Sequence, residues 1–509
     1  MTSNQRRAIT SLRHVAWALL PVLLAIFPLL SLFQQNETDL ELGVLWWPLG
    51  LCILGAAALY ALLLGVVRQA AKASVLASLV VFWFLYYEPV AGRISGTGWW
   101  SFAWWTVAFA LAFAAVASTR VDFGKLTLVL GVGALVLVVG PLARTSIYQA
   151  NHPAVSVSDP RLWPDRLATP AVADRSRLPN IYVLIPDDYA RLDVLTRYFH
   201  NADTGFVQGL AKRGFVLSRQ ARSPYSDSES NIAAALNMAY LDGLPKILGA
   251  KSQDVRPVRR LIADSRVSRL LEAVGYRYVH LDTDGVTFPV NNPRVSASAV
   301  PDSLENLWLQ KTVLRMFDGP IGFSQQATDS RFRESVKSGF SHLEKITSEP
   351  GPKFVVFHTL LPHDPYVFGS KGQAVTFPYH SDAALGSKVG MPYYLHQLQF
   401  LSRKLLSAVD AIQAHERRPT VIVIQSDEGF QADPETFGEP TMQQIRVKGL
   451  EALYLPGHPN AGTPRPPNTV NTLRFVLNHY LGTQYPLLPT HSYPELDYPY
   501  QFEEMRVTP

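Results

Sequence analysis

IYVLIPDD (181–188) is the stretch that decides the fold of the larger part of this chain. Five apolar residues in a row, rich in β-branched and aromatic types, end on a proline and two acids. A run with no polar face suits a central strand covered on both sides, as in a parallel sheet. The pattern recurs twice. FVVF (354–357) leads into His358 and His363, and VIVI (421–424) leads into Asp427 and Glu428. Helical patterns fill the intervals at 228–240, 328–346, 391–414 and 468–480. Short apolar strands alternating with longer helices predict an α/β domain with a central, largely parallel sheet.

In such sheets ligands gather beyond the carboxyl ends of the strands. Asp187, Asp188, His358, His363, Asp427 and Glu428 all follow strand ends, so three strands deliver them to one edge. Carboxylates crowded there repel each other, and one divalent cation is the simplest compensation. Ser228 lies in SPYSDSESNIAAALNM (223–238), where a polar loop turns into an apolar helix. A hydroxyl at a helix N-terminus feels the positive end of the dipole, which suits a nucleophile. The same place suits an N-cap, and Ser226 or Ser228 could fill that role instead. His280, after YRYV (276–279), falls at the end of another strand. His458, in a loop within LPGHPN, reads either as a substrate contact or as a plain surface residue. Trp308 and Phe317, in LENLWLQKTVLRMF (304–317), fit a helix core stripe, and Tyr393 and Tyr394 open a helix as packing residues.

Toward the N-terminus the composition changes. Apolar runs at about 14–34, 43–66, 73–90, 99–118 and 125–142 are each near the length that spans a bilayer. Trp46, Trp47, Trp99 and Trp100 stand at their ends, as interfacial aromatics do. The first run is followed by four more and by no small-residue cleavage site, so it reads as an anchor rather than a signal peptide. Arg6, Arg7, Arg13, Arg68, Lys72, Arg120 and Lys125 fall on one side, and Glu37, Asp39 and Glu41 on the other. Positive residues mark the cytoplasmic side, so five spans leave the C-terminal domain outside. The organisation expected is a transmembrane domain at 1–142, a proline-rich extracytoplasmic linker at 143–179 and a soluble domain at 180–509. The chain carries a formal charge of +5 with no concentrated basic stripe, which argues against nucleic acid as a partner. Its single cysteine, Cys52, lies in the second span, which excludes an internal disulfide and a thiolate metal cluster.

PNIYVLIPDDYAR (179–191), SPYSDSESNIAAALNMAYL (223–241), HTLLPHDPY (358–366) and VIVIQSDEGF (421–430) occur in this order. Together they resemble the motifs of the alkaline phosphatase/sulfatase superfamily. The resemblance is strongest to its membrane branch, which includes lipoteichoic acid synthase and the lipid A phosphoethanolamine transferases. It covers nearly all of 179–493, and ALYLPG (452–457) and NTVNTLRFVLNHYLG (468–482) resemble the C-terminal segment of sulfatase-like membrane proteins. The resemblance implies a sulfatase-like catalytic domain at 180–509. It implies a metal held by Asp187, Ser228, Asp427 and Glu428, with Ser228 as the nucleophile that takes the phosphoryl group. It places His363 against the phosphate or the leaving group. By their positions, His358 and His458 are expected to join His363 in contacting substrate.

The sequence departs from the family pattern at three places. Glu428 stands where His is usual, Asp188 where Gly is usual, and Ser228 where Thr is usual. Oxygen-only ligands favour Mn, Mg or Ca over Zn, though Zn stays possible. Ser228 is not followed by the C/S-x-P-x-R pattern that formylglycine sulfatases need, so sulfate hydrolysis is disfavoured. The expected activity is phosphoryl transfer, from a lipid-linked head-group donor to an envelope glycan or lipid, at a bacterial inner (plasma) membrane. The alternatives are a phosphodiesterase that transfers to water, and a catalytically silent relative acting in envelope assembly.

Overall fold

The strand segments form because their β-branched and aromatic side chains fill both faces of one sheet. The computed structural model describes residues 3–200, 204–283, 295–296, 303–317, 325–378, 386–458 and 460–508. Two compact units emerge: Met1–Pro153 with Pro301–Thr328, and Ala154–Val300 with Asp329–Pro509.

In the second unit the strands are β1 (Asn180–Asp187), β2 (Val216–Leu217), β3 (Arg277–Asp282), β4 (Val295–Ser296), β5 (Lys353–Pro362), β6 (Thr420–Gln425) and β7 (Glu451–Tyr454). They are ordered β2-β7-β6-β1-β5-β3-β4. β1 runs parallel to both β5 and β6, and β3 parallel to β5 and β4. β7 is antiparallel to β6 and to β2. The sheet is therefore mixed but largely parallel, as the apolar runs require. Alternate residues of the same strand enter opposite cores. Tyr182, Leu184, Phe357 and Ile424 pack on one face, and Ile181, Val183, Val356 and Val423 on the other. Helices at Ser228–Asn237, Gln325–Thr347, Met391–His415 and Val470–Leu481 match the helical stretches expected from sequence.

The first unit holds α1 (Ser3–Gln35), α2 (Trp46–Val67), α3 (Ala70–Leu85), α4 (Trp99–Ser118) and α5 (Gly124–Asn151). Four of these helices are long and apolar enough to cross a membrane alone, and α3 is continued by Tyr87–Ser95 after a 62° bend. Pro89, in the first turn of that continuation, cannot complete a straight helix with the turn before the bend, because it has no N–H and its ring clashes with the preceding turn. α3 nonetheless runs the length of α4 in the opposite direction. At one end Lys72 Nζ donates to Ala117 O (2.7 Å) and Thr119 O (2.9 Å). Midway Trp105 Nε1 donates to Trp83 O (2.9 Å), and at the far end Tyr87 OH donates to Gly98 O (3.2 Å). Leu54, Val66 and Val129 are over two-thirds exposed, as suits side chains that meet lipid.

Two details differ from the sequence reading. α5 continues to Asn151, past the expected start of the linker at 143, since nothing in ARTSIYQAN (143–151) breaks a helix. The 304–317 segment is not one helix. It stops at Gln310, resumes as a short turn at Val313–Met316, and belongs to the membrane-helix unit. There Glu88 N donates to Lys311 O (3.1 Å), and the Lys311 ammonium pairs with the Glu88 carboxylate (3.1 Å). Phe317 meets Phe102 and Trp99 edge-on, so its partners are helix-end aromatics rather than a core stripe.

Candidate metal centre

Strand register builds the site. β1 and β6 are adjacent and parallel, with Leu184 opposite Ile424. Asp187 and Asp427 each lie three residues further on, so two carboxylates leave the sheet side by side. On the other flank of β1, Ile185 pairs with His358 of β5, and His358 in turn pairs with Asp282 of β3. His358 Nε2 lies 3.9 Å from Asp187 Oδ2 and 4.0 Å from Asp427 Oδ2. Its other ring nitrogen lies 3.1 Å from Asp282 Oδ1, which fixes the ring and leaves Nε2 facing the acids.

Asp188 turns the chain back at a φ of +61°, a region that favours glycine because Cβ crowds the following carbonyl. Neighbours hold the turn. Tyr394 OH donates to Asp188 O (2.8 Å), and Tyr189 N–H donates to Ser426 Oγ (2.9 Å). The Asp188 carboxyl is thereby aimed into the cluster. Two triads can each offer ligand atoms within 4.8 Å of one another: Asp187, His358 and Asp427, and Asp187, Asp188 and Glu428. All five residues are buried.

Ser228 opens the helix Ser228–Asn237, but it is not the cap. Asp227 is the N-cap, accepting from Ser230 N at 2.7 Å, and Ser226 Oγ lies near Tyr493 O instead. Ser228 Oγ is thus left to face the acids, 3.4 Å from both Asp187 oxygens and from Glu428 Oε1. Those contacts are longer than an ordinary O–H···O bond.

Burial pushes the Glu428 carboxyl well above its usual range. Arg446 opposes the shift, and Asp188 and Asp427 reinforce it. Burial likewise raises Asp427 and lifts Asp188 to about 7. Burial by itself would lower His363, but Asp188 and Asp364 outweigh it and hold the imidazole more basic than usual. Asp188 Oδ1, Asp427 Oδ2 and Glu428 Oε2 are buried with no hydrogen-bond partner among the described residues. Buried, unpaired carboxylate oxygens facing one another are costly unless a cation joins them. The donor set fits a divalent metal, and His358 adds a nitrogen to what the sequence suggested would be oxygen alone.

Asp187, Ser228, Asp427, Glu428 and His358 converge, and His363 sits beside Asp188 with its Nδ1 2.7 Å from Asp364 O. His458 does not join them. β7 is antiparallel to β6, so the chain beyond Tyr454 emerges at the edge where β6 begins, opposite the acids. There the His458 ring packs against His479 and Tyr480. His280 points within β3 toward Tyr278. Sequence reasoning brought Asp188 and His358 to this edge without naming them in the metal's ligand set, and it missed Asp282 and Arg446 altogether. Asp282 could have been found, since it ends the strand RYVHLD (277–282). Arg446 closes an ordinary surface helix, Glu439–Arg446, and carries no local signal; it reaches the cluster while ion-paired with Glu495.

No family model and no curated protein matches this sequence. Solved structures do overlap it. The C-terminal periplasmic domain of EptC from Escherichia coli, crystallised with Zn, is 12% identical, with a TM-score of 0.40 over 63% of this chain and 87% of that one. The integral membrane lipooligosaccharide phosphoethanolamine transferase A from Neisseria meningitidis is 9% identical, with a TM-score of 0.36 over 88% and 89%. A putative sulfatase from Bacteroides fragilis is 14% identical, with a TM-score of 0.40 over 62% and 76%. At this degree of overlap the residues of this chain, not the likeness, carry the reading of the site.

Proposed function

We propose that the protein is a membrane-anchored, divalent-metal-dependent phosphoryl-transfer enzyme. It moves a phospho-head group from a lipid-linked donor to an envelope glycan or lipid, on the outer face of a bacterial inner membrane. The observation that carries this reading is Ser228 Oγ, uncommitted to capping and 3.4 Å from the Asp187 and Glu428 carboxylates. In the first half-reaction Ser228 Oγ bonds to phosphorus and the donor's P–O bond breaks. The serine proton passes to the facing carboxylate, and protonated His363 gives its proton to the leaving oxygen. In the second half, an acceptor hydroxyl attacks phosphorus and loses its proton to His363, while the serine–phosphorus bond breaks and Ser228 Oγ takes its own proton back from the carboxylate. A divalent ion held by Asp187, Asp188, His358, Asp427 and Glu428 would supply positive charge against the phosphoryl oxygens. Arg446, close to Glu428 and Asp188, limits the net negative charge of the pocket. The outward placement rests on Lys72 and Thr119 marking one end of the bundle, beside Arg68, Arg120 and Lys125.

The test is intact-mass analysis of the purified chain after incubation with a lipid extract and Mn. A head-group or phosphoryl adduct should appear on Ser228, be absent in Ser228→Ala, and persist in Ser228→Thr, which keeps the hydroxyl. Ser226→Ala is the control and should retain the adduct. An adduct undiminished in Ser228→Ala would refute the assignment.

A further inference from the structure

Beyond the carboxylate cluster, the second unit contains a cavity of about 930 Å³, between the helices Leu192–Phe199 and Glu439–Arg446. None of the cluster residues lines it. Among the described residues its wall carries the cations Arg191, Arg197, Arg219 and Lys448 against one acid, Asp193. That acid is already engaged: Arg191 holds it in a two-pronged pair at 2.6 and 2.9 Å. Lys448 is only 8% exposed, and no carboxylate among the described residues pairs with its ammonium at ion-pair distance. Arg222 stands close behind, with its Nε buried and without a hydrogen-bond partner. Burial lowers the Lys448 amine, and Arg191, Arg222 and Arg197 lower it further, with Asp193 opposing.

Positive charge gathered in a concave, half-buried site costs free energy unless an anion completes it. The arginine forks match the geometry of phosphate oxygens better than a point charge would. Thr196, Thr441 and Gln444 add hydrogen-bonding groups to the wall, and Val194, Leu217, Ile445 and Leu450 give it an apolar side. The volume is that of a small-molecule site and far exceeds an inorganic ion. We infer that this cavity is a second anion site, separate from the carboxylate cluster, which takes an organic phosphate: a charged head on Lys448, Arg197 and Arg219, and a less polar body against Leu217 and Ile445. It does not depend on the transfer reaction proposed above.

The experiment is calorimetric titration of the detergent-solubilised full chain in EDTA, with inorganic pyrophosphate in one arm and dihexanoyl phosphatidic acid in the other. Saturable binding is expected in at least one arm. Its dissociation constant should rise about tenfold or more in R197Q/R219Q, whose positions are exposed and should not disturb folding, and in Lys448→Met. Asp427→Asn should bind as the parent does, so loss of the transfer reading would leave this result standing. Tighter binding of phosphatidic acid identifies a lipid head group as the natural source, and tighter binding of pyrophosphate a soluble phosphate. Absence of saturable binding, binding indifferent to R197Q/R219Q, or binding lost in Asp427→Asn would each overturn the proposal.

Discussion

Replacing Asp188 by glycine should make the metal-free protein more stable above neutral pH and change little in acid. The side chain is 2% exposed, and its carboxyl is lifted from 3.8 to about 7, first by burial and then by Asp427. A folded-state pKa above the unfolded value means that the group's favourable contribution is fully present below the ordinary carboxylate range. It is lost as pH rises through about 7. A pKa rise of that size corresponds to about 4 kcal/mol of destabilisation once the carboxylate ionises. The backbone changes the balance little. Relief of the +61° φ is worth on the order of 1 kcal/mol, and the extra freedom of glycine in the unfolded chain takes back a similar amount. For a domain of this size the charge effect corresponds to a Tm rise of about 6 °C. The assay is differential scanning fluorimetry of wild type and Asp188→Gly in EDTA, from about pH 4 to about pH 8. The two should nearly coincide at the acid end and separate as pH rises, with the variant higher. Saturating Mn should close the gap, because the ion supplies the charge that the acids lack. A Tm difference independent of pH, or a wild type more stable than the variant at the alkaline end, would refute the reasoning.

Three further outcomes follow from the same structure. A C-terminal alkaline phosphatase fusion should be active and a green fluorescent fusion dark, whereas the reverse would mean that α3 with its bent continuation does not cross. Asp427→Ala should remove the bound divalent ion by elemental analysis, and Glu428→His should retain an ion but shift preference toward Zn, since imidazole is softer than carboxylate. His458→Ala should leave metal content and turnover unchanged, because its ring packs on His479 and Tyr480 at the far edge of the sheet; a loss of turnover above about tenfold would contradict that placement.

Much of this protein was legible in its sequence, for a local physical reason. Membrane helices and buried strands are fixed by runs of apolar side chains, and IYVLI, FVVF and VIVI carried that information within a few residues each. The rule that strand ends gather ligands then brings Asp187, Asp188, His358, Asp427 and Glu428 to one edge from the sequence alone. What the sequence left open was direction, pairing and side-chain aim. Nothing in ALY (452–454) states that β7 runs antiparallel, and that direction alone removes His458 from the site. Serine at a helix start fits a cap and a nucleophile equally well, until Asp227 is found to hold the cap and Ser228 Oγ to face the acids. His358 faces the acids through Nε2 only because Asp282, 76 residues earlier in the chain, takes the other nitrogen. Arg446 and Lys448, two residues apart, lie at different places, one beside the carboxylates and one in the basic cavity. Periodicity is a property of neighbours along the chain, whereas a charge's partners are set by neighbours in space, and only the packed sheet with its helices decides those.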